Sequence, residues 1–140
     1  HSGHTPTQED SALIQLMEIN TRMVEEADRQ ICQYAEGYTR RDIGAWTKGL
    51  PWNDRTLSEE SRVRLSLRVY QLDSTLLEDI TETVTVGQIS RMEALADVVP
   101  EMNIGDTIEM LVPWYVGYGS TGNEHVAPYT NLRLKLSIYE

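Results

Sequence analysis

Phenylalanine is absent from these 140 residues, which hold three tryptophans and seven tyrosines. Every aromatic surface therefore carries a polar atom that wants a partner once buried. Cysteine occurs once, at Cys32, so an internal disulfide is excluded. Inside a helical pattern Cys32 reads as a small buried or half-buried apolar residue, with an intermolecular bridge or reactive thiol as the alternative. Histidine is equally scarce. His1 and His4 read as solvated tail residues, and His125 stands in a distant loop without ligands around it, so neither a metal site nor a cofactor is expected.

Positive charge is also short, with 12 Lys and Arg against 22 Asp and Glu and a net charge of −10. Phosphate recognition needs clustered cations, which argues against nucleic acid as a partner and against an anionic membrane surface. No apolar run approaches the ~18 residues of a membrane span. A signal peptide is lacking too, although the chain starts at His1 without Met; HSGHTPTQED reads as a trimmed or processed start. The usual catalytic constellations are missing: no Gly-x-Ser-x-Gly elbow, no Cys-His pairing, no phosphate-cradling glycine loop, no paired-carboxylate motif.

What remains is an ordinary globular composition, 40% hydrophobic, at a length suited to one core. Residues 1–9 read as a polar tail, 10–37 as a helical arm and 38–140 as a domain. From about Thr7 to Glu36, Leu13, Leu16, Met23, Ala27 and Ile31 recur at helical spacing. Thr7 with Asp10 suggests an N-cap, and Gly37 a C-cap. Such a helix has no way to bury its stripe alone, so it is expected to pack on the domain or on a second copy. Its acidic outer face is a solvated surface or a docking and dimerisation arm.

Residues 37–61 are irregular, with Trp46 on a short first strand. Arg62 to Leu72 alternates as a strand, its Arg62, Arg64 and Arg68 expected to pair with the chain's own carboxylates, as on the long helix. Asp73-Ser74 is a turn, and Thr83 to Val86 a β-branched strand. Ser90 to Glu93 has the form of a capping box opening a helix to about Met102. Thr107 to Val112 and Leu132 to Ile138 alternate with period two, as half-buried strands do. Between them lies a loop with Tyr118 beside Gly119, the sort of place where function sits on a rigid sheet. Leu65, Leu67, Leu95, Val98, Ile108, Met110, Leu134 and Leu136 are expected to share one core.

Five elements in order, Gly105-Asp106, Val112-Pro113, Tyr118-Gly119, Ala127-Pro128 and the closing strand from Leu132, resemble the C-terminal end of the FKBP family of peptidyl-prolyl isomerases. The resemblance extends upstream to about Arg62. It implies an α+β fold, an antiparallel twisted sheet wrapped over a short helix, here preceded by a long N-terminal helix. Isomerisation of an X-Pro bond needs no acid, base or metal. Its ~18–20 kcal/mol barrier is amide resonance, lowered when proline is held in a dry apolar cup and the substrate carbonyl meets a donor.

Carried over residue by residue, the resemblance makes Tyr118 the rim hydroxyl and Glu78 the acidic acceptor at the rim. Leu67, Leu77, Met92, Leu95, Val126 and Leu134 become the substrate-binding cup, with Arg91 and Met92 at the strand-to-helix positions. In the family several of these positions are aromatic. Leucines keep a cup dry but lack the flat walls that hold a proline ring, so the expectation is weak isomerisation, or a catalytically degenerate binding or assembly module. An unrelated α+β binding domain is the third reading. The implied partner is a proline-containing polypeptide. The long helix resembles that of envelope lipoproteins of this class, which suggests an envelope or periplasmic location. It also suggests a lipid anchor outside the given sequence and a homodimer through the N-terminal helix.

Overall fold

The structure, a computed structural model, describes residues 7–140; the tail residues His1, His4 and Pro6 lie outside them. Thr7 opens the first helix as its spacing from Asp10 implies. The Thr7 hydroxyl accepts from the Asp10 amide at 3.1 Å and the Asp10 carboxylate accepts from the Thr7 amide at 3.2 Å. This reciprocal pair satisfies two amides that helix geometry leaves without partners. Helix α1 runs Gln8–Cys32 and is capped by Gln33. Gly37 is not its cap: it lies beyond, at φ +83° in the turn that leads to the sheet.

The two halves of α1 behave differently. Ala27 and Ile31 are buried, whereas Leu13 and Leu16 are 57% and 63% exposed. The expected stripe therefore docks only at its C-terminal end. There the Tyr115 hydroxyl donates to Asp28 at 2.7 Å, Arg40 pairs with the same carboxylate at 3.1 Å, and Asn131 donates to Gln30 at 3.0 Å. Cys32 is exposed rather than buried, because the domain takes up its neighbour Ile31 instead.

Six strands follow: β1 Thr39–Arg40, β2 Trp46–Lys48, β3 Arg62–Gln71, β4 Leu76–Thr85, β5 Thr107–Val112 and β6 Leu132–Tyr139. They form one antiparallel sheet in the order β1-β2-β5-β6-β3-β4. β4 is longer than the β-branched run at its end. Glu78, Asp79 and Glu82 interrupt its apolar pattern, yet pairing with β3 carries it through, and Asp79 meets Arg68 across the register at 3.5 Å. Of the β3 arginines, Arg68 thus finds its carboxylate on β4 rather than on the long helix, and Arg64 instead lies 5.7 Å from the Tyr139 ring.

Helix α2, Glu93–Val98, lies against the sheet and runs on as a 3-10 turn, Val99–Glu101, containing Pro100. It starts later than Ser90. Met92 is still extended at φ −146° and ψ 143°, and no side chain caps the helix, while Arg91 reaches out to β4. Leu65, Leu67, Leu95, Val98, Ile108, Met110, Leu134 and Leu136 all belong to one buried cluster. Burial of each such side chain contributes about 1.5–3 kcal/mol. Arg41 fastens the turn after β1 to this unit. Its Nε donates to Asp97 at 2.7 Å and its other nitrogens reach Glu101, which holds the guanidinium firmly in its charged form.

Candidate functional site

The loop between β5 and β6 begins with a 3-10 turn, Trp114–Val116, and carries Tyr118 to the edge of the core. Two tight turns hold the loop. The Gly122 amide donates to the Tyr118 carbonyl at 3.2 Å, and the Asn123 side chain accepts from the His125 and Val126 amides, each at 2.8 Å. Gly122 sits at φ +65°, and a Cβ there would lie 2.2 Å from the Val126 carbonyl oxygen. Only glycine fits both the conformation and the space.

Around Tyr118 the structure gathers a polar rim. Arg91 donates through Nη1 to the Tyr118 hydroxyl at 3.3 Å and through Nε and Nη2 to the two oxygens of Glu82, both at 3.1 Å. Planar two-point pairing of this kind is among the stronger charge-assisted contacts. Asn123 donates to Glu78 Oε2 at 3.3 Å, while Glu78 Oε1 is buried without a hydrogen-bond partner among the described residues. Burial first, and the neighbouring Glu78 carboxylate second, push the Tyr118 phenol up to about 12, against a pull from Arg91 in the other direction. The phenol thus feels Glu78 as a near neighbour, although no hydrogen bond of full geometry closes between them.

Inside the rim are the apolar residues expected to form the cup. Leu67, Met92, Leu95, Val126 and Leu134 share one cluster with Leu77 and Tyr118 packed against it, so the structure brings all of them together. None of the first five exceeds 2% exposure. They are core, with almost no surface to offer. Leu77 alone among the aliphatic candidates is half-buried, and Glu78 sits at 9% exposure. Trp114 is buried and Tyr115 half-buried beside Pro113.

Three rim members escape a reading of the sequence: Arg91 as a cation, Glu82 and Asn123. A signal for the first existed. Arginine at a position expected to show an apolar side chain must find a counter-charge, and Glu82 stands nine residues back, but on a strand whose extent the pattern did not reveal. Among the described residues no group of His, Cys, Asp and Glu could hold a metal ion, and no helix is long and apolar enough to cross a membrane.

A twisted antiparallel sheet over one short helix, with a tyrosine-bearing loop between the last two strands, is the FKBP-type fold, and this chain has it. Among solved structures it is similar to FkpA from Escherichia coli, at a TM-score of 0.66 and 11% identity, covering 96% of this chain and 72% of that one. A peptidyl-prolyl cis-trans isomerase from Pseudomonas syringae pv. tomato matches at a TM-score of 0.67 and 14% identity over 86% of this chain and 93% of that one. The three FKBP domains of wheat FKBP73 match at 0.62 and 23% identity, over 73% of this chain and 48% of that one. No family model matches the sequence, and no curated protein does.

Proposed function

We propose that this chain is an FKBP-like binding module of the cell envelope, in which isomerisation of X-Pro bonds is weak. The observation that carries this reading is the filled cup. Leu67, Met92, Leu95, Val126 and Leu134 are each at or below 2% exposure, so a proline ring has no open apolar floor to enter. The rim above them is engaged with itself, through Arg91, Glu82 and Tyr118. A dry cavity that pulls proline out of water is the source of rate enhancement in this chemistry, and leucine packing removes most of it. Proline-containing polypeptide remains the partner of this reading, met at the half-buried Tyr118 and Leu77 rather than within the core.

The envelope assignment rests on the long α1 ahead of an FKBP-type domain, with a lipid anchor beyond the given sequence as its natural attachment. The exposed Leu13 and Leu16 on α1 support a homodimer through that helix, since tertiary contact supplies most helical stability.

The test is a proline-isomerisation assay on short X-Pro peptides beside a binding measurement on the same peptides. Weak turnover with measurable binding is expected, and Tyr118→Phe, which removes one hydroxyl, should reduce both modestly. Turnover at the level of an efficient isomerase would overturn the filled-cup reading. Failure of every proline peptide to bind would overturn the module itself.

A further inference from the structure

Beside the rim, a groove of about 570 Å³ is bounded by Glu82, Thr83 and Thr85 of β4 on one side and by Ser90, Arg91, Tyr118 and Asn123 on the other. β4 is the last strand of the sheet and pairs only with β3. Over its ten residues, Leu76–Thr85, none of its outward-facing main-chain groups finds a backbone partner among the described residues until Val86 and Gly87 bond back to Ser61 and Glu59. An open edge of that length is a template for another strand.

Inward-turned charges are one of the devices by which native sheets blunt such an edge, and β4 carries two on its inner face. One of them is neutralised: Glu82 is held at both oxygens by Arg91. The other is not. Glu78 is 9% exposed and its Oε1 has no hydrogen-bond partner among the described residues, while its neighbours Asn123 and Tyr118 line the groove. A buried carboxylate oxygen left without a donor costs free energy that a donor arriving from outside would recover.

We propose that the outer edge of β4 receives an extended segment of a partner polypeptide by strand addition, and that the segment carries a lysine or arginine aimed at Glu78. Main-chain bonds along β4 supply affinity, and the cation supplies selection. In a strand pair, side chains directly opposite lie about 4.5–5.5 Å apart at Cβ, within reach of a long cationic side chain for this carboxylate. Arg91 favours the same outcome in a second way. By neutralising Glu82 it leaves one net negative charge at the rim, so one cation is matched and a run of acidic residues is repelled. The site reads an extended backbone and requires no proline, so it is independent of the filled cup.

The experiment uses the whole chain and a fluorescent ten-residue peptide rich in Thr and Val, free of proline, with one central lysine. Fluorescence anisotropy measures affinity and hydrogen exchange reports the β4 amides. Binding is expected, with slowed exchange over Leu76–Thr85. Replacing the peptide lysine by glutamate should weaken binding by roughly tenfold or more. Methylating alternate peptide nitrogens should abolish binding, because strand addition needs those donors. In Glu78→Gln, checked for an unchanged melting temperature, the preference for lysine over glutamate should vanish. The proposal is overturned if no peptide binds, if the methylated peptide binds as well as the parent, or if lysine and glutamate peptides bind alike. Proline peptides failing at the cup would leave these outcomes untouched.

Discussion

The cup and the rim lie within a few residues of each other and follow opposite rules. In the cup, Leu67, Leu95 and Leu134 solve their problem by close packing, and their exposures of 0%, 0% and 2% leave almost no surface. At the rim, polar groups range from the exposed Asn123 through the half-buried Tyr118, Arg91 and Glu82 to the buried Glu78, and those withdrawn from water need specific partners. Four of the five are well served, and Glu78 only in part. The contrast teaches that this part of the fold is divided: its interior serves packing, and its polar groups are confined to the border.

The largest effect should come from breaking the interior. Leu95 on α2 is fully buried among the sheet residues, so Leu95→Ala removes methyl groups and leaves a void, at a cost of about 2–5 kcal/mol. Urea denaturation with an unchanged m-value checks it. A loss under 1 kcal/mol would mean that the cup is loosely filled, and the comparison with the rim would fail. A new small apolar cavity should also appear in that variant, so any gain in X-Pro peptide binding would show what packing suppresses.

Gly122→Ala tests the rim scaffold and should rank second. The residue's positive φ and the Val126 carbonyl oxygen, which would lie 2.2 Å from a new Cβ, both oppose a side chain. A strained backbone conformation of this kind costs on the order of 1–3 kcal/mol. The loop should yield before the core does. Amide exchange should rise from Tyr118 to Val126 while β3 and β6 stay protected, whereas equal loss of protection in both regions would show that rim and core unfold as one unit.

The same division explains what could be read from the sequence. Period-two alternation in β3, β5 and β6 reports one wet and one dry face, so the strands and the eight expected core residues were legible without coordinates. β4 was legible only in part, because Glu78 and Glu82 point inward and break the alternation that would have marked a strand. The α2 start lies later than local spacing implies for a related reason. Ser90 and Glu93 have capping-box spacing, but Arg91 between them is committed to Glu82 and Tyr118, and that long-range pairing leaves no trace in local spacing. The N-cap at Thr7 depends on contacts three residues apart and was legible. The docking of α1 through Asp28 spans 87 residues to Tyr115 and was not.

The smallest effect should come from the Tyr118 hydroxyl, and its signature is pH rather than magnitude. Tyr118→Phe removes one 3.3 Å contact with a guanidinium that keeps Glu82 as its main partner. A net hydrogen bond is worth about 0.5–1.5 kcal/mol, and this long one belongs at or below the lower end near neutral pH. Above pH 9 the two proteins should respond differently to rising pH. The phenol titrates near 10 in an unfolded chain and at about 12 here, raised by burial and by Glu78. A raised folded value means that the neutral phenol is favoured by folding. Its contribution is complete below pH 10 and is lost as pH climbs through 12, because the unfolded chain ionises first. Tyr115 shifts to about 12 for similar reasons, burial first and then its bond to Asp28, so the parent protein alone cannot separate the two. The difference in unfolding free energy between parent and Tyr118→Phe isolates the rim. That difference should be flat from pH 6 to 9 and should then narrow or reverse between 10 and 12. A difference that stays constant across the alkaline range would place the Tyr118 hydroxyl in water, and the rim would lose its closest link to the dry interior.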